Sequence, residues 1–283
     1  MSNEEYHADT TAISKSGLDR INESPRHYWA AYLDPNRAPR VETAAMFEGT
    51  LHHTALLEPE TMNERYVIMP AGAPSRDCLR HRNAKSPSAD TLKNIAWWDD
   101  FDAQRGERLL VDAKMYDRVM HISDTVRQHP AARWLLEQAG QIEQAMFWED
   151  HYTGAPCKCK PDKSLLGDPI FVDVKSTEDA SPEGFARSVA KYRYDVQAAF
   201  YMDGADTLGE RRDAFMFIAV EKSPPYAVAV YNAQEEVLAE GRAKYVKNLH
   251  AYMEALRTGI WPAYSDYVED LQMPPYFFKF KRV

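Results

Sequence analysis

Residues 157–177 read CKCKPDKSLLGDPIFVDVKST, two stretches of alternating polarity on either side of a Gly-Asp pair, which is the pattern of a β-hairpin. A turn centred on Gly167-Asp168 sets Asp162 directly opposite Asp173. Facing residues in an antiparallel pair have Cβ atoms roughly 4.5–5.5 Å apart, and two carboxylates at that spacing repel unless a proton or a cation lies between them. Alternation then sends Ile170, Val172 and Val174 to a core side with Cys157 and Cys159, while Asp173, Lys175 and Asp162 share the other side. A preceding hairpin that turns near Tyr152-Thr153 brings Glu143 toward Asp162 on that same side. Carboxylate ligands of this kind suit Mg²⁺, with Mn²⁺ as a substitute. Lys175 beside the metal would orient or deprotonate a water, and a facing Lys160 would favour its neutral amine. The blander reading, exposed strand acids paired with Lys160, Lys163 and Lys175, fits a lone D-x-K. It fits less well the combination of Pro161-Asp162, the hairpin and Asp173-Val174-Lys175.

Outward from the hairpin the hydrophobic period divides the chain. Before residue 140 it is near 3.6. Ser14 caps a helix in ISKSGLDRINE, Ser24-Pro25 starts another, and TAAMFEGTLHHTALLEP is helical up to Pro59, so residues 1–60 form a helical N-terminal part. RYVIM is strand-like. Residues 70–90, rich in proline, small residues and Arg76, Arg80, Arg82 and Lys85, read as an irregular or mobile basic loop. Helices return over 91–105 and 112–139, interrupted at His129-Pro130. From 141 the period becomes 2, and QIEQAMFWED, APCKCKPDK and PIFVDVKS form a three-stranded meander. A helix capped by Ser181 and continued through DVQAAFYMDGADTLG, two strands (AFMFIAVEK and YAVAVYN) and a long amphipathic helix complete a catalytic core over 141–256, with a C-terminal tail at 257–283. The expected class is α/β (α+β), a central mixed β-sheet with an antiparallel meander flanked by helices, in a single domain spanning 1–283.

With 283 residues and 45% hydrophobic side chains, the chain has material for a sizeable core. No apolar run reaches the roughly 18–20 residues of a membrane span, and the start MSNEEYHADTT lacks a signal pattern, so the expectation is a cytoplasmic protein. Three cysteines without paired spacing argue against a disulfide framework or a four-cysteine metal site, which leaves Cys157 and Cys159 as core residues. A net charge of −9 argues weakly against a polyanionic partner, unless positive charge is concentrated locally.

Pro161-Asp162 followed by Asp173-Val174-Lys175 resembles the signature of the PD-(D/E)xK nucleases. Gly49-Thr50-Leu51-His52-His53 is similar to the G-x-x-x-H helix of the RecB-like branch, Glu143 to its strand acid, and Gln197-Ala198-Ala199-Phe200-Tyr201 to its Q-x-x-x-Y helix. Within that branch, ISKSGLDRI, GTLHHTALLEP, VDVKST and YRYDVQAAFYMDG resemble the RecE-type (exonuclease VIII) nuclease domains of prophages. Cys159 departs from the branch, because a glycine usually stands there. The resemblance implies a restriction-endonuclease-like core and a Mg²⁺-dependent exonuclease that degrades one strand of linear double-stranded DNA in the 5′→3′ direction. The resulting 3′ single strand would serve recombination with a RecT-like annealing protein, and the enzyme would be a homo-tetrameric ring in the bacterial host.

Carried over residue by residue, the resemblance implies Asp162, Asp173, His53 and the Val174 carbonyl as metal ligands, and Glu143 as a ligand of a second ion. Lys175 would be the catalytic lysine. Gln197 and Tyr201, four apart on one helical face, are placed to hydrogen-bond Lys175, a water or the phosphate. Candidate DNA contacts are Arg76, Arg80, Arg82 and Lys85 in the basic loop and Lys158, Lys160 and Lys163 beside the acids. Trp97, Trp98, Phe101 and the terminal YFFKFKRV are candidates for stacking on bases. The competing readings are a structure-specific or single-strand endonuclease on the same core, and a catalytically silent DNA-binding module.

Overall fold

The computed structural model describes residues 1, 3–38, 41–274 and 277. The N-terminal part is built from helices α1 (Asn3–Ala8), α2 (Lys15–Glu23), α3 (Pro25–Tyr28), α4 (Ala44–Leu57) and α5 (Met62–Arg65). Ser14, Ser24 and Thr43 cap α2, α3 and α4, each accepting a backbone N–H with its hydroxyl. Strand β1 (Tyr66–Ile68) lies parallel to β2 (Leu109–Val111), with α6 (Ala89–Arg105) between them in sequence. α7 (Ala113–Gln128) and α8 (Pro130–Glu137) follow. The His129 side chain caps α8 where the proline interrupts the helical run.

The expected three-strand meander occurs as five shorter strands. Its first strand divides into β3 (Gly140–Ile142) and β4 (Met146–Glu149), and its second into β5 (Pro156–Cys159) and β6 (Lys163–Leu165), before β7 (Ile170–Thr177). Glu143 takes a left-handed φ of 47°, and opposite it Lys160-Pro161-Asp162 leaves the ladder, since proline has no N–H to give. β4–β5 becomes a separate two-stranded ribbon, while β3 and β6 join the main sheet. The register survives the break: Gly140 faces Leu165 on one side and Met146 faces Cys159 on the other, an alignment that places Glu143 beside Asp162. Lys163 faces Val172 and Ser164 faces Phe171, and extending that register by one pair faces Asp162 to Asp173.

Helices α9 (Pro182–Tyr192) and α10 (Tyr194–Thr207) lead to β8 (Ala214–Glu221), which pairs in parallel with β7. β9 (Val228–Asn232) and α11 (Glu235–Thr258) follow. The main sheet is therefore mixed, in the order β3-β6-β7-β8-β9. Both of its faces are covered by helices, so the chemical face of β7 is itself packed. Val172, Val174, Ile218 and Val220 pack on α4, α7 and α8 through Leu56, Ile122, Val126 and Leu135. Phe171, Phe215, Phe217 and Ala219 pack on α10 and α11 through Val196, Phe200, Tyr245 and Leu249. Cys157 and Cys159 belong to this second core, on the side of Phe171 and not of Val172, because β5 has left the main sheet. The ribbon is held there by an isolated parallel bridge between Ile13 and Cys157, with Ile13 donating to the Pro156 carbonyl at 2.8 Å and accepting from the Lys158 N–H at 2.9 Å. Among the described residues no helix is long and apolar enough to cross a membrane.

Two glycines let α10 sit close to its neighbours. A Cβ on Gly204 would stand 2.7 Å from the Trp148 ring, and one on Gly241 would stand 2.1 Å from the Asp195 carbonyl oxygen. The second contact is with backbone and has no side chain to yield. Gly241→Ala is therefore expected to destabilise the protein by about 2 kcal/mol or more despite alanine's better helix propensity, as read by urea denaturation.

Candidate active site

Asp173 and Lys175 lie two apart on β7 and so share the face that meets α10. Asp173 is 1% exposed. Gln197, on α10, donates from Nε2 to its Oδ1 at 2.5 Å, and the Lys175 ammonium stands 2.6 Å from Oδ2. Asp162, also buried, accepts the Val174 N–H on Oδ2 at 2.7 Å. Val174 is tied to the site through its N–H, on the residue whose carbonyl is the expected metal ligand. From α4, His53 Nε2 faces Asp162 Oδ2 at 3.6 Å and Nδ1 faces Glu143 Oε1 at 3.8 Å, both beyond a good hydrogen bond. Tyr201 is buried one helical turn beyond Gln197. The structure therefore brings together His53, Glu143, Asp162, Asp173, Lys175, Gln197 and Tyr201 from five separate elements and connections.

Electrostatics follow from this crowding. Burial raises the Asp162 carboxyl and Asp173 adds to the rise, while His53 and Lys175 oppose it, leaving it at about 6. Burial lowers His53, but Asp162 and Glu143 more than offset that and hold the imidazolium up to about 9. Glu143 is drawn down to about 2, first by the facing His53 imidazolium and then, against its own burial, by the Lys160 ammonium at 2.5 Å. Lys175 is not the depressed amine that a facing Lys160 would make it. Burial lowers it, yet Asp173 and Asp162 raise it above an ordinary lysine. Lys160 has turned away to Glu143 and to the Asn3 side chain.

The donor set, carboxylates with one imidazole, is of the kind that takes Mg²⁺ or Mn²⁺. Asp173 Oδ2 is buried without a hydrogen bond, met by Lys175 off the line of one. Among the described residues, no three His, Cys, Asp or Glu side chains stand in a ready coordination shell. The residues fit a divalent cation in donor type, and His53 must lose its proton to join.

Several expected DNA contacts are placed elsewhere. Lys158 is 3% exposed and donates to the Tyr6 and Asp9 carbonyls at 2.5 Å, while Lys163 is 4% exposed and donates to the Leu136 carbonyl at 2.6 Å. Both ammoniums are committed to backbone carbonyls. The basic loop is partly ordered as a 3₁₀ turn, Arg76–His81, strapped to α6 by Arg76–Asp102 at 2.8 Å and Arg82–Asp99 at 2.5 Å. Arg80 pairs with Asp77 at 3.4 Å, and Lys85 is exposed. Trp98 is a core residue whose indole donates to the Pro74 carbonyl at 3.1 Å, while Trp97 and Phe101 stack on each other, half-buried. Of YFFKFKRV, all but Phe277 lies outside the described residues. Sequence reasoning missed Tyr194, whose ring centroid lies 4.6 Å from Lys175 Nζ, and Lys15, 5.8 Å from the same ring. The aromatic-basic run YRYDV, just before Gln197, was the available signal.

Compared with protein families, residues 14–274 match the PDDEXK-like domain of unknown function (DUF3799), and the chain belongs to that family. No curated protein matches. Among solved structures, the chain is similar to a presumptive exonuclease from Eubacterium rectale, with a TM-score of 0.61 at 14% identity over 99% of this chain and 97% of that one. At that identity the likeness speaks for the fold alone. A phage-related exonuclease from Haemophilus somnus, 13% identical over 67% of this chain and 92% of its own, superposes with a TM-score of only 0.33 and adds no argument.

If these carboxylates hold a cation, Mg²⁺ or Mn²⁺ in excess should raise the melting temperature of the protein, because only the folded state offers the site. Asp162→Asn and Asp173→Asn should each abolish that rise, and His53→Ala should reduce it, in differential scanning calorimetry with and without metal. An unchanged metal response in both Asn variants would remove these residues from the site.

Proposed function

We propose that this protein is a Mg²⁺-dependent exonuclease of the RecE type, acting as one nuclease domain on linear double-stranded DNA and hydrolysing one strand from its 5′ end to leave 3′ overhangs for recombination. The observation that supports the phosphodiester chemistry is the convergence of Asp162, Asp173 and Lys175 at one buried sheet position, with His53 and Glu143 over them and Gln197 beneath. A divalent cation held by His53, Asp162, Asp173 and the Val174 carbonyl, with Glu143 for a second ion, would polarise the phosphate and lower the pKa of a bound water. Gln197 and the Val174 N–H fix the rotamers of the two aspartates, so those carboxylates are preorganised. Lys175, kept charged by its neighbours, offers N–H donors to a phosphate oxygen and offsets the charge that develops there. Its raised pKa favours this role over that of a general base. Tyr201, buried one turn beyond Gln197 on α10, is the further candidate to hydrogen-bond a water or the phosphate.

The 5′→3′ direction, the RecT-like annealing partner, the tetrameric ring and a cytoplasmic setting in a prophage host rest on the likeness of the sequence to RecE-type domains. For DNA contacts the loop leaves Arg80 and Lys85 as its least committed cations, with Lys160 beside Glu143.

Duplexes labelled at one 5′ or one 3′ end test the reading directly. Label should leave the 5′ end first, only with Mg²⁺ or Mn²⁺, and a covalently closed circle should stay intact. Lys175→Ala and Asp173→Ala should each lower the rate by about 10²–10⁴-fold while keeping a native circular dichroism spectrum. Full activity in either variant, or nicking of the circle, would sink the assignment.

A further inference from the structure

The bend between α9 and α10 is built more rigidly than a connection requires. Arg193 adopts left-handed φ 56°, ψ 47°, a conformation that side chains larger than glycine take at a cost. Its guanidinium is pinned to Asp19 at 3.0 Å, to the Leu18 carbonyl at 3.2 Å and to Asn248 Oδ1 at 2.5 Å. Lys15 holds the Tyr192 carbonyl and the Asp19 carboxylate, each at 2.7 Å. α2, α11 and the bend are thus clamped together beside the site.

What the clamp fixes is a pair of aromatic rings. Tyr192 and Tyr194 lie on either side of Arg193, with centroids 5.7 Å apart and planes 28° from parallel. The inner ring, Tyr194, lies 4.6 Å from Lys175 Nζ. The outer ring, Tyr192, is 49% exposed, with Lys191 Nζ 5.0 Å from its centroid. A large exposed aromatic held one ring away from the site lysine, and flanked by a cation, has the properties of a base-stacking platform: a π-face that accepts any base, beside a charge that meets phosphate.

Building on the nuclease reading, we propose that Tyr192 stacks on the nucleobase of a nucleotide next to the scissile phosphate. Tyr194 is the positioning residue that joins this platform to Lys175. Such a stack favours unpaired or fraying bases, so it selects DNA ends over continuous duplex, and it is indifferent to sequence.

The test measures binding in chelator, so that no cleavage occurs, to linear duplexes carrying either normal bases or one abasic residue at each of the first three positions from the end. The wild-type protein should bind the fully based end about ten-fold more tightly than at least one abasic end. Tyr192→Ala should bind both equally, at the weaker level, and Tyr192→Phe should keep the difference; loss of the preference for the based end is the readout that a merely structural role would not give. Equal binding of based and abasic ends by the wild type, or a preserved difference in Tyr192→Ala, overturns the platform while leaving the nuclease reading standing. Failure to bind any duplex overturns both.

Discussion

The carboxylate of Asp173 lies almost beyond the reach of water on a parallel strand pair, and that burial dictates its surroundings. A buried charge without partners is strongly unfavourable, so each oxygen needs a group brought to it. The Lys175 ammonium serves Oδ2 from the same strand, and the Gln197 amide serves Oδ1 from α10. Because one of the two comes from a helix, α10 must be placed to within a hydrogen-bond length. The close approaches permitted by Gly204 and Gly241, and the Arg242–Asp203 pair at 2.6 Å between α11 and α10, supply that placement.

The site also lies where three packed cores meet. α4 contributes Leu56 to the core under Val172 and Val174, and Leu51 and Ala55 to a smaller core with Tyr66 and Val111. His53, between these anchors, is left facing Asp162 and Glu143. Its neighbour His52 turns inward, and burial lowers it to about 4, so it is neutral where His53 is charged. Two adjacent histidines on one helix thus hold opposite protonation states at neutral pH, set by which side of the helix each occupies.

Much of this was legible in sequence because strand register obeys simple rules. The turn at Gly167-Asp168 and the alternation of Ile170 to Lys175 were enough to bring Asp162 and Asp173 together, and helices were marked by Ser14, Ser24 and Ser181. The split of the meander was less legible, since it depends on the positive φ of Glu143, a residue with no strong preference for that region. From that split follow the misplaced cysteines and the burial of Lys158 and Lys163. Lysines near site acids look like DNA contacts until it is known that the N-terminal segment and α8 present carbonyls to them. Helix ends leave carbonyls free, and which lysine finds them is a tertiary fact.

The same placement bears on how an acidic chain would hold a polyanion. Lys158 and Lys163 are committed to the interior, and Arg76 and Arg82 are neutralised by Asp102 and Asp99. Beside the carboxylates Glu143, Asp162 and Asp173 stand the cations His53, Lys160 and Lys175 among the described residues. The site is therefore close to balanced in charge and not a deep negative well, so a phosphodiester approaching it meets less repulsion than the count of acids suggests. Balance removes a barrier without creating strong attraction. The exposed ring of Tyr192, clamped one ring away from Lys175, supplies an attraction that does not depend on net charge.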